Sequence, residues 1–173
     1  MPLEPHYRMV LPTDLPPIPR NPVHIVLDNI RSAFNVGSIF RTADAGAVAH
    51  IHLCGMTAYP PNLKLAKTAL GATDYVPWTY RRRTEEALDW LDSEGIPCYA
   101  AEASKEAVSH LTVEWPQPVG IVFGNEVTGV SPDILSRCAK TVCIPMGGYK
   151  NTLNVATAFG IVLYEVLRQW KSF

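Results

Sequence analysis

The sequence predicts an α/β domain built on a mainly parallel sheet with helices on both faces. Three observations lead there. Short apolar or β-branched runs alternate with amphipathic stretches along the chain. The 173 residues suit one domain with a hydrophobic core. Each apolar run empties into a loop rich in Gly, Asn or Ser, and in open α/β sheets that edge is where ligands bind.

The N-terminal residues stand apart. Seven of the 15 prolines fall at positions 2, 5, 12, 16, 17, 19 and 22, so residues 1–22 cannot be helical and have few donors for a sheet. They read as an extended arm, either loosely attached or packed on a partner subunit through Tyr7, Met9, Val10 and Leu11. The domain proper runs over 23–173.

Val23 to Leu27 reads as a buried strand that opens into Asp28 to Gly37. Ile39, Phe40 and Ala43 then form a helical stripe ending at Ala45, with Asn35, Ser38 and Arg41 projecting from neighbouring turns. His50 to Cys54 is the next strand, and Asn62 to Leu70 a short helix carrying Lys64 and Lys67. A strand over Tyr75 to Tyr80 precedes the triplet Arg81, Arg82 and Arg83, which with the two lysines is the best phosphate-contacting patch of the chain. Thr84 to Glu94 is a helix capped by Thr84 and stopped by Gly95. Ile96 to Ala101 and Val119 to Phe123 are strands, and Pro132 to Cys138 is a helix behind Ser131.

The stretch from Val142 to Glu165 organises the rest. An apolar strand, Val142 to Ile144, breaks at Pro145 and passes through Met146, Gly147 and Gly148 into a loop. The helix after it is predicted by Val155, Phe159, Val162, Leu163, Val166 and Trp170, which recur at three- and four-residue steps. Asn151 and Thr152 are its candidate caps. Ala156, Ala158 and Gly160 predict close approach of another backbone.

Composition narrows the function. A net charge of -1 and pI ≈ 6.5 exclude nucleic-acid binding by bulk positive charge and leave only a local patch. Cys54, Cys98, Cys138 and Cys143 form no CxxC pair and read as reduced thiols, which favours a cytoplasmic protein. No leader, membrane-crossing run or metal-ligand cluster is expected. Gly124 to Gly129 lacks the Lys-Ser/Thr ending of a phosphate loop, and no GxGxxG follows the first strand. Ser104 or Ser109 near His110 is weak evidence for a hydrolase. What remains is three loops, 102–104, 124–129 and 145–151, offering backbone groups beside Ile144, Met146 and Leu153. Such a pocket suits adenosine with an uncharged thioether or a sulfonium tail.

Three segments in order resemble the SpoU (TrmH-like) family of S-adenosylmethionine-dependent RNA ribose 2′-O-methyltransferases, of the SPOUT superfamily. They are Asn35 to Ala43 with its Asn and Arg, Ile121 to Val130 with Gly124-x-Glu126-x-x-Gly129, and Ile144-Pro145-Met146 through Asn151-Thr152-Leu153-Asn154 to Glu165. The resemblance covers Val23 to about Trp170. It implies a C-terminal trefoil knot, a homodimer with the active site near the interface, and an RNA substrate; methyl transfer from a sulfonium to a ribose hydroxyl requires no metal, and with no room for a sizeable appended RNA-binding domain beside the core, tRNA is expected ahead of rRNA.

By the same resemblance Arg41 is the catalytic residue, with Asn35, Glu126, Thr152 and Asn154 around it. Thr152 stands where the family usually has serine, which keeps the hydroxyl. A guanidinium does not give up its proton in proteins, so Arg41 is read as a cation that binds the neighbouring phosphate and stabilises the alkoxide rather than as a base. Glu126 is read as holding an arginine or a loop in place. The cofactor is expected against Ala101, Glu102 and Ala103, against Gly124, Asn125 and Glu126, and against Ile144, Pro145, Met146 and Leu153. RNA phosphates are expected at Arg31, Lys64, Lys67, Arg81, Arg82 and Arg83. Three alternatives stay open: an rRNA enzyme, an inactive RNA-binding dimer of the same fold, and a nucleotide-dependent oxidoreductase.

Overall fold

The structure, a computed structural model, describes residues 16–173. Most of the expected arm lies outside the described residues. Among the described residues, seven strands and five α-helices follow in the order β1 (Asn21–Asp28), α1 (Ala33–Ala45), β2 (Val48–Cys54), α2 (Leu63–Ala69), β3 (Trp78–Arg81), α3 (Thr84–Ser93), β4 (Cys98–Ala101), β5 (Val108–Ser109), β6 (Val119–Phe123), α4 (Pro132–Arg137), β7 (Lys140–Cys143) and α5 (Val155–Gln169), strands and helices alternating except from β4 to β6. The strands form one sheet in the order β3-β2-β1-β6-β4-β7-β5, and every neighbouring pair is parallel. A parallel sheet needs cover on both faces. Val23, Ile25, Leu27, Ile121 and Phe123 pack with residues of α1 and α5, while Val26 and Val122 pack on the opposite face with Leu88 and Leu91 of α3 and Ile134 of α4.

Local signals placed several ends where expected. Asn62 caps α2, accepting from the N–H groups of Lys64 and Leu65, and Ser131 caps α4 through the N–H of Ile134. Gly95, at φ 68°, ends α3.

Other expectations are corrected by partners distant in sequence. Thr84 does not cap α3; its hydroxyl donates to buried Asp28 on β1, and Arg83 occupies the cap position without a side-chain bond. α5 is capped by Asn154, whose Oδ1 accepts from Ala156 N and Thr157 N, and not by Asn151 or Thr152. β1 starts at Asn21, inside the expected arm, and Pro22 lies at the register shift between Asn21 and His24. β3 starts three residues later than Tyr75, behind a 3₁₀ turn over Ala72–Asp74. The two-residue β5 was not foreseen.

The close approach expected at Gly160 occurs elsewhere. A Cβ at Gly160 would meet only Thr42 Cγ2, at 3.7 Å, which is ordinary contact. A Cβ at Gly46 would lie 2.8 Å from Leu163 Cδ2, so the tight point between α1 and α5 sits at the end of α1. The end of α5 is tied to the segment before β6: Gln169 Oε1 accepts from Trp115 N and its Nε2 donates to Val113 O, while Trp170 Nε1 donates to Trp115 O.

Candidate functional site

Because all strands run the same way, the loops after β1, β4, β6 and β7 leave one edge of the sheet together. They enclose a cavity of about 840 Å³, within the usual ~300–1,000 Å³ of small-molecule sites. Its floor is apolar, formed by Phe123, Val142, Ile144, Val155 and Val162. Its walls are the ends of β4 (Ala101, Glu102, Ala103), the loop 124–129 and the turn leading into α5.

Each loop is held by its own residues. Asn125 Oδ1 accepts from Val127 N and Thr128 N, while its Nδ2 donates to Asn29 O, which fastens the loop after β6 to the loop after β1. A Cβ at Gly124 would stand 2.5 Å from Val130 N, so only glycine lets the loop fold back this tightly. Glu102 Oε2 accepts from Val130 N at 2.8 Å and closes the far end of the same loop.

Three side chains link the remaining loops in one chain of hydrogen bonds. Glu126 Oε2 accepts from Arg31 N at 2.8 Å, and its Oε1 accepts from Ser32 N at 3.2 Å and Asn35 Nδ2 at 3.0 Å. Asn35 Oδ1 in turn accepts from Asn154 Nδ2 at 3.0 Å. Since Asn154 Oδ1 caps α5, every amide atom in this relay has one possible role. The relay joins the N-terminus of α1, the loop after β6 and the N-terminus of α5.

Partial burial by itself would raise the Glu126 carboxyl, but the hydrogen bonds from Arg31 N, Asn35 and Ser32 N outweigh it and hold the group below the usual carboxylate range. Glu126 is therefore a carboxylate at neutral pH with its oxygens occupied by donors. It holds a loop, and the arginine it meets is met through backbone N–H and not through a guanidinium.

Of the residues expected at the site, Asn35, Glu126, Thr152 and Asn154 line this cavity, together with every expected cofactor contact except Pro145. Pro145 is exposed beside it. Arg31 stands at the mouth. Arg41 does not line it. Six residues beyond Asn35 on an α-helix is about 9 Å along the axis and about 120° round it, and Arg41 opens instead into a second cavity with Ser38, Thr42, Lys67, Thr68 and Tyr164.

The expected basic patch divides. Lys67 belongs to that second cavity, whereas Arg81 turns inward and its Nε donates to His52 Nδ1 at 3.3 Å. Arg83 pairs with Glu86, and Lys64 and Arg82 are exposed. Sequence reasoning missed Ser32, whose N–H serves Glu126 and whose hydroxyl caps α1, and the apolar floor from Phe123 and Val162. The serine before a helical stripe was a readable cap signal. Among the described residues no cluster of His, Cys, Asp or Glu is arranged to hold a metal, and no helix is long and apolar enough to cross a membrane.

Residues 22–164 match the profile of the SpoU rRNA Methylase family. A tRNA (guanosine(18)-2′-O)-methyltransferase of Aquifex aeolicus is 34% identical over 84% of this chain and 68% of its own length. Among solved structures, the SpoU methyltransferase AviRb from Streptomyces viridochromogenes in complex with AdoMet superposes with a TM-score of 0.82 at 27% identity, over 91% of this chain and 64% of that one. A structure described for the 2-OH methylation of C/U34 on tRNA gives 0.79 at 27% identity, over 87% of this chain and 97% of that one. The chain thus spans about two thirds of the first two proteins and nearly all of the third.

Proposed function

The chain belongs to the SpoU methylase family, and from that premise we propose that it is an S-adenosylmethionine-dependent RNA methyltransferase acting on a ribose 2′-hydroxyl of tRNA. The observation that carries this reading is the relay Glu126–Asn35–Asn154, which joins the three motif segments around one cavity at the strand ends.

The residues present fit the cofactor. The apolar floor suits a nucleoside, and the loops 124–129 and 144–154 bring backbone N–H and C=O groups to its walls without a phosphate nest. S-adenosylmethionine, when bound, supplies an activated methyl group on a positively charged sulfur. Glu102, Gly124 and Leu153 line the cavity, and in this reading they make the edge and wall contacts to the adenosine and methionine parts. Asn35 and Asn154, locked in orientation by their shared bond, position the reacting ribose beside Thr152.

Arg41 faces away from its own chain's cavity, so its catalytic role rests on a second copy. We place the dimer contact on the exposed face of α1 and α5, where Phe34, Ile161 and Tyr164 are 44%, 38% and 44% exposed. There Arg41 of one protomer reaches the cavity of the other, binds the phosphate next to the target ribose and stabilises negative charge growing on the 2′ oxygen. The hydroxyl proton leaves to a phosphate oxygen or to water. A C-terminal trefoil knot and a cytoplasmic location belong to the same reading.

Transfer of tritiated methyl groups to bulk tRNA and bulk rRNA, followed by mapping of the modified ribose, tests the proposal. Label in a tRNA ribose is expected, and mapping decides between the guanosine 18 and C/U34 positions for which the relatives are described. Label in rRNA alone, or in a base, would overturn it.

A further inference from the structure

The second cavity, of about 590 Å³, contains Arg41 of α1 and Lys67 of α2 with the side chains of Ser38, Thr42, Thr68 and Tyr164, and no carboxylate. Both cations are exposed, and among the described residues neither has an ion pair or side-chain hydrogen bond. Arg137 is held by Asp89 and Asp92, Arg168 by Glu165, and Arg83 by Glu86; among the described residues Lys64 and Arg82 also lack an ion pair, and what sets Arg41 and Lys67 apart is that they share one cavity. Two like charges brought together without an acid repel one another, and an anion from outside the described chain removes that cost.

The spacing of the two cations is built in by one glycine. A Cβ on Gly37 would lie 2.1 Å from Thr68 Oγ1 and 2.2 Å from Leu65 O, so α1 and α2 meet almost backbone to backbone at that point. Thr68 reinforces the contact by donating to Phe34 O at 2.8 Å. Arg41 lies one turn beyond Gly37 on the same face of α1, and Lys67 directly precedes Thr68 on α2. The close crossing therefore delivers both cations, and the hydroxyls of Ser38 and Thr42, to one opening.

We propose that Arg41 and Lys67 together form a two-cation seat for one phosphodiester of the RNA substrate, with Gly37 setting their separation. This rests on the reading of the protein as an RNA methyltransferase and adds Lys67 to it as a substrate-positioning residue. Arg41 supplies a planar fork for two phosphate oxygens, and Lys67 adds a point charge. Flanking hydroxyls complete the hydrogen bonding.

The test measures tRNA binding by fluorescence anisotropy across a salt series for the wild-type chain and for Lys67→Ala, Lys67→Arg and Lys67→Glu, beside methyl-transfer kinetics and cofactor titration calorimetry. Lys67→Ala is expected to raise KM for RNA about tenfold with a smaller change in kcat. It should also lower the slope of log affinity against log salt by about one. Lys67→Arg restores most of the loss, and cofactor affinity is unchanged in all three. An unchanged salt slope and KM in Lys67→Ala overturns the proposal. So does conversion of a wild-type dimer to monomers by Lys67→Glu, which would make the anion a carboxylate of a second copy. Failure of the activity reading is distinct: a wild-type chain that binds tRNA with the Lys67-dependent slope but transfers no methyl group keeps the seat and loses the reaction.

Discussion

Asn35 and Asn154 are 119 positions apart and share one hydrogen bond of 3.0 Å, Asn154 Nδ2 to Asn35 Oδ1. Neither amide can turn over without breaking a second contact, because Asn154 Oδ1 caps α5 and Asn35 Nδ2 donates to Glu126. A half-buried and an exposed polar residue are in this way each held by two contacts.

Asn154→Asp separates the two roles of this residue. Aspartate keeps the capping oxygen but cannot donate to Asn35, so thermal stability is expected to stay near the wild-type value while methyl transfer falls at least tenfold. Asn154→Ala loses the cap as well and is expected to cost about 1 kcal/mol. Thermal unfolding beside a transfer assay checks both, and transfer by Asn154→Asp equal to that of the wild type would remove Asn154 from the site.

Glu126→Gln replaces one of two acceptor oxygens by a donor, which then faces either the N–H of Arg31 or the N–H of Ser32 together with Asn35 Nδ2. Weaker cofactor binding and a transfer rate down by tenfold or more are expected. The folded carboxyl sits below its ordinary value of 4.5. Its contribution to stability is thus present above that value and is lost as pH falls through the folded one. The pH-rate profile of the wild type should carry no limb from Glu126 between pH 6 and 8; a limb there that vanishes in Glu126→Gln would make this residue a base.

The histidines of β1 and β2 predict acid sensitivity. His24, His50 and His52 cluster under Trp90, with ring centroids 4.7 Å apart for His50 and His52, and His52 is 1% exposed with Nε2 unpartnered. Burial, then the neighbouring His50 and Arg81, lowers His52 from 6.5 to about 3, and burial with His24 and Arg81 lowers His50 to about 4. The unfolded chain therefore takes up protons first, and stability falls as pH drops from about 6.5 toward these values. Between pH 7 and 5, His52 alone is expected to remove about 2 kcal/mol. Urea unfolding at the two pH values should show a smaller loss in His52→Phe than in wild type.

Gly37→Ala forces a methyl group against Leu65 O, a backbone atom that cannot move aside. A loss of about 1–3 kcal/mol is expected, read as a lower midpoint of thermal unfolding. An unchanged midpoint would mean that α1 and α2 cross less closely than described.

The sheet, the helix order and three motif loops were legible in the sequence because each depends on local spacing or on a cap within three residues, as at Asn62 and Ser131. What was not legible has partners far along the chain. Thr84 looked like a cap until Asp28, 56 residues away, took its hydroxyl. Arg81 looked like surface until His52, 29 residues away, took its Nε. Arg41 sits in a matched motif, and the six-residue helical step already turns it about 120° away from Asn35; what was not legible is the cavity it opens into, which depends on α2 and α5.

The relay that closes the cavity begins at Arg31 and ends at Thr157, with steps of 95, 91 and 119 residues. Contacts of such high contact order are the slow ones to form. A chain emerging from the ribosome can stack β1, α1 and β2 long before α5 exists, but the pocket lacks part of its floor until the last helix docks. Maturation of the site is therefore the final event of folding, and a nascent chain stalled before Asn154 holds most of the scaffold with no working centre.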